Sequence, residues 1–266
     1  MYRTILVTSS LVCLLAFACC AEASPTNSVA LHHAATPPVI DGKLDEAMWQ
    51  EAAVMGPFTG PFNPEGPDIA TQSVYRTEAR AAWDEEHLYV AFICHGPLST
   101  VLHHKYDDPL HEQDVVEMFL DVTGKQKEIA ELQVSPSGVT ADIYHVWDTP
   151  LTYPADKIDW SQLKNLNFDR SWNLAGYTAA GASLTENGVT VGWIVEMAIP
   201  MRPILAKQGL PRSLHEGQEL RFNLVRYVYE EGAAGKKELR QLNWSPTTRG
   251  CPHVSPMALR AVVLTR

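Results

Sequence analysis

Short runs in which every second residue is apolar recur along this chain, and they restrict its fold more than any other feature. The clearest run covers residues 190–199, where Val, Trp, Val, Met and Ile alternate with other residues. A strand with one buried face needs this period of two, because successive side chains point to opposite faces of a sheet. Further predicted strands lie at residues 29–33, 74–83, 88–95, 114–121, 130–134, 139–144, 176–183, 219–229 and 259–264.

Helical patterns are few and short. Residues 44–53 predict a short helix, and residues 203–208 predict a helical turn. Residues 147–172 are polar, contain proline and have no clear period, so we expect a long excursion with too little apolar content for its own core. Many strands with few helices predict an all-β protein: a single-domain β-sandwich of the immunoglobulin-like or jelly-roll type with short helical insertions.

The first 23 residues have the pattern of a signal peptide. Arg3 precedes an apolar stretch at residues 5–18, and Ala21-Glu22-Ala23 supplies the small-x-small cleavage pattern. A stretch of about 14 residues is shorter than the roughly 20 that cross a membrane. We therefore expect a secreted or periplasmic protein with no membrane span, whose folded domain covers residues 24–266. A lipoprotein anchor at Cys19 is the alternative.

Three of the five cysteines lie in this predicted leader, which leaves Cys94 and Cys251. In an oxidising compartment two cysteines can form one disulfide, and the alternative is two unrelated buried thiols.

Charge and motifs restrict the function. The chain has 31 acidic and 21 basic residues, a net charge of −10, which argues against a sequence-independent nucleic-acid surface. Neutral ligands and cations remain open, and the oligomeric state is not determined. The G-x-S-x-G, P-loop, G-x-G-x-x-G and H-E-x-x-H signatures are absent from the sequence. We therefore expect a binding protein rather than an enzyme.

The densest acidic cluster, residues 111–121, does not have the spacing of a hydrolase pair. Asp114 and Glu117 are three residues apart and point to opposite faces of a strand. Glu117 and Asp121 share a face but lie about 13 Å apart along it, beyond the spacing of catalytic carboxylates. The cluster is better suited to accept hydrogen bonds from sugar hydroxyls or to bind Ca²⁺. The alternatives are that Asp114 caps a loop and that Glu117 pairs with an arginine.

Histidine and tryptophan carry weaker signals. The ten histidines show no zinc-ligand spacing, so we expect most of them on the surface. Trp147, Trp160 and Trp172 lie in the polar excursion, where they are the aromatic residues most free to stack on a ligand.

Several segments together resemble family 9 carbohydrate-binding modules. They occur in the family's order and span about residues 36–265. The matching segments are IDGKLDEAMW at 40–49, ARAAWDEEHLYVAF at 79–92, EQDVVEMFLD at 112–121, GWIVEMAIP at 192–200, RFN at 221–223 and WSP at 244–246. The resemblance implies a β-sandwich that grips sugar ends between two tryptophan rings and holds structural Ca²⁺.

The resemblance also implies site residues. Glu117 matches a sugar-contacting Glu, and Asp114 matches the Asp beside it. The first stacking Trp falls at His111, and the second falls near Pro252 or His253. Imidazole offers less stacking area than indole, so either the ligand differs from the family's usual sugars or the sugar site has decayed.

Two further family positions are altered here. An expected Asp falls on Gly96, and an expected sugar-binding Arg falls near Gln133. Cys94 and Cys251 both align beside the binding region, so the resemblance favours their disulfide, as a brace at one rim of the site.

We therefore predict a non-catalytic saccharide binder that serves polysaccharide capture or breakdown. A separate possibility is an accessory part of a larger hydrolase assembly. The predicted site residues are Glu117, Asp114, His111, His253 and, as a stacking platform, Trp147. The alternative prediction is a haem-binding electron-transfer domain on a related sandwich. Haem binding would need axial ligands such as Met118, Met197 or His111 around one apolar pocket.

Overall fold

The computed structural model describes residues 28–60, 73–98, 101–148, 160–231, 237–247, 253, 255 and 258–266. The predicted leader and Cys251 lie outside these ranges. The strands are β1 Val29–His32, β2 Ala53–Met55, β3 Thr77–Trp83, β4 His87–His95, β5 Val115–Asp121, β6 Glu128–Val134, β7 Thr140–Trp147, β8 Leu166–Asp169, β9 Thr178–Glu186, β10 Val189–Pro200, β11 Glu219–Glu231, β12 Lys237–Asn243 and β13 Arg260–Thr265. The α-helices are α1 Ala47–Glu51 and α2 Met201–Lys207, and 3-10 helices cover Ser73–Tyr75, Leu110–Glu112 and Trp160–Asn165.

Two sheets form a sandwich, as predicted. The large sheet has the order β1-β13-β11-β5-β6-β7-β8, and β12 also pairs with β11; the small sheet has the order β2-β3-β4-β10-β9. The long strand β11 makes this arrangement possible, because its first half pairs with β13 and its second half pairs with β12. Its other edge pairs with β5 from Arg221 to Tyr227. All of these pairings are antiparallel except that of β1 with β13.

The main core lies between the sheets and comes from the alternation read in the sequence. Val116, Met118 and Leu120 of β5 point inward from the large sheet, and Trp193 and Val195 of β10 belong to the same buried cluster. Each such side chain contributes about 1.5–3 kcal/mol when it is fully buried. The apolar face of each strand therefore determines which side of its sheet faces the core.

Arg226 of β11 links the two sheets from inside the sandwich. It is fully buried, and its Nη1 donates to the carbonyl of His95 at 2.8 Å and to Thr77 Oγ1 at 3.0 Å. Its guanidinium lies 5.3 Å from the ring centre of Trp193, in a cation–π contact. The buried positive charge is thus held by strands of the small sheet.

A buried carboxylate fastens the segment 40–49 to the outer face of the small sheet. Glu196 of β10 is fully buried, and its Oε2 accepts hydrogen bonds from the backbone N–H groups of Asp41 at 3.0 Å and Gly42 at 2.6 Å. Its Oε1 accepts from the indole Nε1 of Trp49 at 2.9 Å. Three donors from segment 40–49 thus converge on one side chain. Their hydrogen bonds join the IDGKLDEAMW segment to the GWIVEMAIP segment of β10.

Gly42 is required for this contact. Its φ of +87° lies in the left-handed region, and a Cβ there would lie 2.8 Å from the Cβ of Ala182. A larger residue would push the turn away from Glu196.

The structure departs from the sequence-based prediction in three places. The helix predicted at 44–53 is shorter, because the chain leaves α1 at Ala52 in an extended conformation and enters β2. Strand β12 was not predicted, since its first residues alternate little and are exposed. The excursion predicted at 147–172 contains an edge strand, β8, that pairs with β7. The helical turn predicted at 203–208 is confirmed by α2.

Cys94 is a free thiol in this structure and lies in the core between the sheets. Burial raises its pKa to about 12. Because Cys251 lies outside the described residues, the predicted disulfide is not shown. Within the described ranges, no helix is both long enough and apolar enough to cross a membrane.

Replacing the carboxylate that fastens segment 40–49 should destabilise the fold. We expect Glu196→Gln to lower the free energy of unfolding by about 1–3 kcal/mol, because an amide cannot accept from three buried donors. Glu186→Gln, at an exposed position of the same sheet, should change it by less than about 0.5 kcal/mol. Urea unfolding measures both, and equal effects would contradict the assignment.

The cost of Glu196→Gln should also depend on pH. Burial raises the pKa of Glu196 above its ordinary 4.5, although the bound N–H groups act to lower it. The folded state therefore holds this proton more tightly than the unfolded chain does, and this contribution to stability is lost as the pH rises through the raised pKa. Because the amide variant does not titrate, its deficit relative to the wild type should shrink from about pH 4 to pH 7. A deficit that grows over this range would contradict the prediction.

Candidate functional site

The outer face of the large sheet carries an unusual number of buried polar side chains. Glu117 of β5, Glu131 and Gln133 of β6, and His145 of β7 are each at most 3% exposed. Glu117 lies between Val115 and Phe119 on this face, which belong to a second buried cluster, separate from the core between the sheets. Buried polar groups are expensive unless they are hydrogen bonded, so the partners of these four side chains determine what the face can do.

Strand register brings these residues together. Glu117 lies opposite Gln133 on one side and opposite Val225 on the other. In the next outward-facing row, Phe119 lies between Glu131 and Asn223. Side chains directly opposite each other on one face of an antiparallel pair lie about 4.5–5.5 Å apart at Cβ. The two carboxylates are thus held at adjacent positions on the sheet by backbone pairing.

One amide bridges the two carboxylates. Gln133 Nε2 donates to Glu117 Oε1 at 3.1 Å and to Glu131 Oε1 at 2.5 Å. The other oxygen of Glu131, Oε2, lies 2.5 Å from His145 Nε2 and 3.0 Å from His253 Nε2. A continuous polar chain therefore runs from Glu117 through Gln133 and Glu131 to two imidazoles.

Aromatic rings surround the imidazole end of this chain. His145 contacts Phe168 edge-on with ring centres 4.8 Å apart, and His253 contacts Phe119 edge-on at 5.3 Å. The two imidazoles are 5.2 Å apart, and His253 also contacts Phe168 at 5.4 Å. The charged groups therefore lie among apolar surfaces, where electrostatic interactions are stronger than in water.

The environment shifts the pKa values of these groups. Burial alone would raise the pKa of Glu131, but His253 and His145 outweigh it and hold the pKa well below the ordinary 4.5. Burial lowers the pKa of His145, although Glu131 acts in the opposite direction. Glu131 is therefore held as a carboxylate.

The predicted residues His111 and Asp114 lie at the rim of the site. His111 is exposed in the 3-10 helix before β5, and its backbone carbonyl accepts a hydrogen bond from Tyr229 Oη at 2.5 Å. Asp114 is fully buried, and its Oδ1 accepts from the backbone N–H of Tyr229 at 2.9 Å. Asp114 thus joins the start of β5 to β11, which is the structural role that the sequence left open.

Asp114 and Glu117 face opposite sides of the sheet, as predicted. The charge of Asp114 acts on the Cys94 thiol in the core, whereas Glu117 bonds Gln133 on the outer face. The alternative interpretation proposed an arginine as the partner of Glu117, whereas in the structure the amide of Gln133 donates to it.

The prediction that Trp147 is a stacking platform is wrong. This residue ends β7, is fully buried, and so presents no ring face to a ligand. The sequence pattern predicts an irregular excursion here, but pairing with Leu166 of β8 extends the sheet across Trp147. Trp172 is partly buried and packs against the core, with its ring 5.1 Å from that of Tyr144.

The three ligands of the alternative haem prediction lie in two different places. Met118 and Met197 are fully buried in the core between the sheets, and His111 is exposed at the rim of the large sheet. These three side chains therefore do not face one pocket.

Sequence reasoning did not assign Glu131 and His145 to the site. The available signal was the alternation of Ile129, Glu131 and Gln133, which places two polar side chains on one face. Only the pairing of β6 with β5 and β7 shows that this face is also that of Glu117 and His145.

A concavity lies on the small sheet, at the ends of β4, β9 and β10. It has a volume of about 890 Å³, and His95, Ser183, Glu186 and Trp193 are among its lining residues. Trp193 is almost completely buried, so its ring faces the core rather than this concavity. The polar groups here are not linked into a network like that of the large sheet.

A family model matches most of this chain. The family described as carbohydrate family 9 binding domain-like matches residues 40–248. Endo-1,4-beta-xylanase C of Paenibacillus barcinonensis is 24% identical over 209 residues, which are 78% of this chain and 15% of the xylanase. The chain therefore spans only a small part of that enzyme.

Two solved structures share the fold. One is a carbohydrate binding module family 9 from Caldicellulosiruptor kristjanssonii in complex with cellotriose, with a TM-score of 0.53 at 14% identity, covering 90% of this chain and 93% of the module. The other is a putative carbohydrate-binding protein from Bacteroides uniformis, with a TM-score of 0.61 at 12% identity, covering 90% of this chain and 99% of that protein. At these identities the two structures establish the architecture.

Removing the bridging amide should destabilise the protein. We expect Gln133→Leu to lower the free energy of unfolding by about 2–3 kcal/mol, because it removes the amide donor that Glu117 and Glu131 share in a buried site. Gln50→Leu, at an exposed position of α1, is the matched control, with an expected change below about 0.5 kcal/mol. Denaturant unfolding compares the two, and a Gln133→Leu protein as stable as the control would refute the bridge.

Proposed function

The chain belongs to the carbohydrate family 9 binding domain-like family, and we propose that it binds a saccharide on the outer face of its large sheet without catalysing a reaction. The observation that carries the proposal is the row formed by Glu117, Gln133 and Glu131, in which one amide joins two buried carboxylates. Such a row holds carboxylate and amide oxygens at fixed positions, and these oxygens can accept hydrogen bonds from vicinal hydroxyl groups.

Preorganisation makes this row suitable for a sugar. A hydroxyl exchanges a hydrogen bond with water for one with the protein, so the net gain per contact is only about 0.5–1.5 kcal/mol. Side chains that are already ordered lose little further entropy on binding. Glu117 and Gln133 are nearly completely buried on central strands, so their positions are set before a ligand arrives.

Aromatic side chains flank the row and supply the apolar half of the proposed site. Phe168 on β8 is 37% exposed, and Tyr229 on β11 is partly exposed beside His111. Burial raises the pKa of Tyr229, and the nearby charge of Glu117 adds to this effect. Sugar rings pack their C–H faces on such rings, and these two side chains would take the place of the missing tryptophan pair.

Catalysis is not part of the proposal. A glycosidase needs two carboxylates across one scissile bond. Asp114 accepts from the backbone of Tyr229 and faces the core side, so it cannot serve as the partner of Glu117. Glu131 is joined to Glu117 through one amide within the same row, so the two carboxylates do not lie on opposite sides of a bond between them. We propose instead that the protein is exported by the leader at residues 1–23 and captures polysaccharide beside enzymes that degrade it.

Titration with oligosaccharides tests the proposal. Cellotriose and xylotriose are the first probes, because one structural relative is described with cellotriose and one sequence relative is a xylanase. We expect Glu117→Ala and Glu117→Gln to weaken binding at least about 10-fold, which corresponds to about 1.4 kcal/mol. A glycan array extends the search to other saccharides.

Glu216→Gln, at an exposed position far along the chain from the row, is the control and should bind as the wild type does. Thermal unfolding of each variant separates a lost contact from a lost fold. Absence of binding to every glycan, or unchanged binding by folded Glu117 variants, would overturn the proposal.

A further inference from the structure

We propose that Glu131, His145 and His253 form a binding site for one divalent cation of the zinc class. Their ligand atoms, one carboxylate oxygen and two imidazole nitrogens, all lie within 4.8 Å of one another. Among the described residues, this is the one place where three or more metal-ligating side chains lie close together. The proposal goes beyond saccharide binding and does not depend on it.

The donor set selects the metal. Imidazole nitrogen with one carboxylate oxygen suits Zn²⁺ and neighbouring first-row transition metals, whereas Ca²⁺ and Mg²⁺ prefer sites made of oxygen alone. Two histidines and one glutamate are also the three protein ligands of several open zinc sites, which keep their fourth position for water or a ligand. The same set is therefore a poor match for the structural Ca²⁺ implied by the family resemblance.

The three ligands are positioned by different parts of the fold. Glu131 and His145 lie on the paired strands β6 and β7, and their side chains are 2% and 3% exposed. His253 comes from a distant part of the chain and is 25% exposed. The first two ligands are thus fixed by the sheet, and the third approaches from the solvent side.

The distances are compatible with a bound ion after a small adjustment. Glu131 Oε2 lies 2.5 Å from His145 Nε2 and 3.0 Å from His253 Nε2, so the carboxylate oxygen now accepts from both imidazoles. Ligands of a tetrahedral Zn²⁺ lie about 3.3 Å from one another, given metal–ligand distances near 2.0 Å. Each of these two separations would need to increase by less than about 1 Å, and the two imidazole nitrogens, which lie within 4.8 Å of each other, would take the same spacing. On binding, each neutral imidazole would carry its single N–H at Nδ1, so that Nε2 offers its lone pair to the ion.

The surroundings support the ligands as the outer shell of a metal site does. Gln133 Nε2 donates to Glu131 Oε1, which orients the carboxylate so that Oε2 faces both imidazoles. Phe119 and Phe168 pack against the imidazole rings and limit their rotation. Outer partners of this kind commonly contribute about 10- to 100-fold to metal affinity. The bound ion would join residue 253 to β6 and β7.

Zinc titration of the whole protein tests the proposal. After the protein is stripped with a chelator, calorimetry with Zn²⁺ alone should give one site per chain, and Ca²⁺ should not compete for it. His253→Ala is the main variant, because this partly exposed side chain can be removed without opening the core. We expect it to bind Zn²⁺ at least about 10-fold more weakly. Co²⁺ in place of Zn²⁺ should give the visible absorption of a tetrahedral site, and His253→Ala should lose it.

His32→Ala removes an exposed histidine of β1 and serves as the control. It should bind Zn²⁺ as the wild type does, and Zn²⁺ should raise the melting temperature of both proteins but not that of His253→Ala. No binding by the wild type, or equal binding by His253→Ala, would overturn the proposal, as would an equal loss in His32→Ala. Measuring glycan binding with and without chelator keeps failure of the metal site distinguishable from failure of saccharide binding.

Discussion

Both faces of the central strand β5 are buried, and the rest of the molecule is arranged around that constraint. Its inward side chains join the apolar core, while Glu117 and Phe119 point to an outer face that is also covered. A carboxylate buried there must find donors within the protein. Gln133 provides one and is in turn bonded to Glu131, so the polar chain that starts at Glu117 crosses β5, β6 and β7.

The two sheets use buried glutamates in different ways. On the small sheet, the carboxylate of Glu196 accepts from two backbone N–H groups and an indole, none of which titrates in the ordinary range, so the contact serves to hold segment 40–49. On the large sheet, Glu131 faces two imidazoles, which exchange protons and bind metals. Glu196 therefore holds a segment in place, whereas Glu131 lies in a reactive group of side chains, because the hydrogen-bond partners of the two glutamates differ.

Much of the fold could be predicted from local patterns. The alternation of β4, β5 and β10, and the turns between strands, are dictated by short-range physics: side chains alternate across a strand. Strand β12 and the true position of Trp147 could not be read in this way. An edge strand with exposed residues has little periodicity, and Trp147 is buried because β8 continues the sheet beside it.

For the site, the sequence by itself determined that Glu117 lies on a buried strand, that Asp114 points away from it, and that the chain lacks common catalytic motifs. The tertiary structure decided which residues meet Glu117. Gln133, Glu131, His145 and His253 are brought together by strand pairing and by a contact between segments more than 100 residues apart. Sequence spacing carries no record of such a contact, because the packing that creates it is a property of the folded chain as a whole.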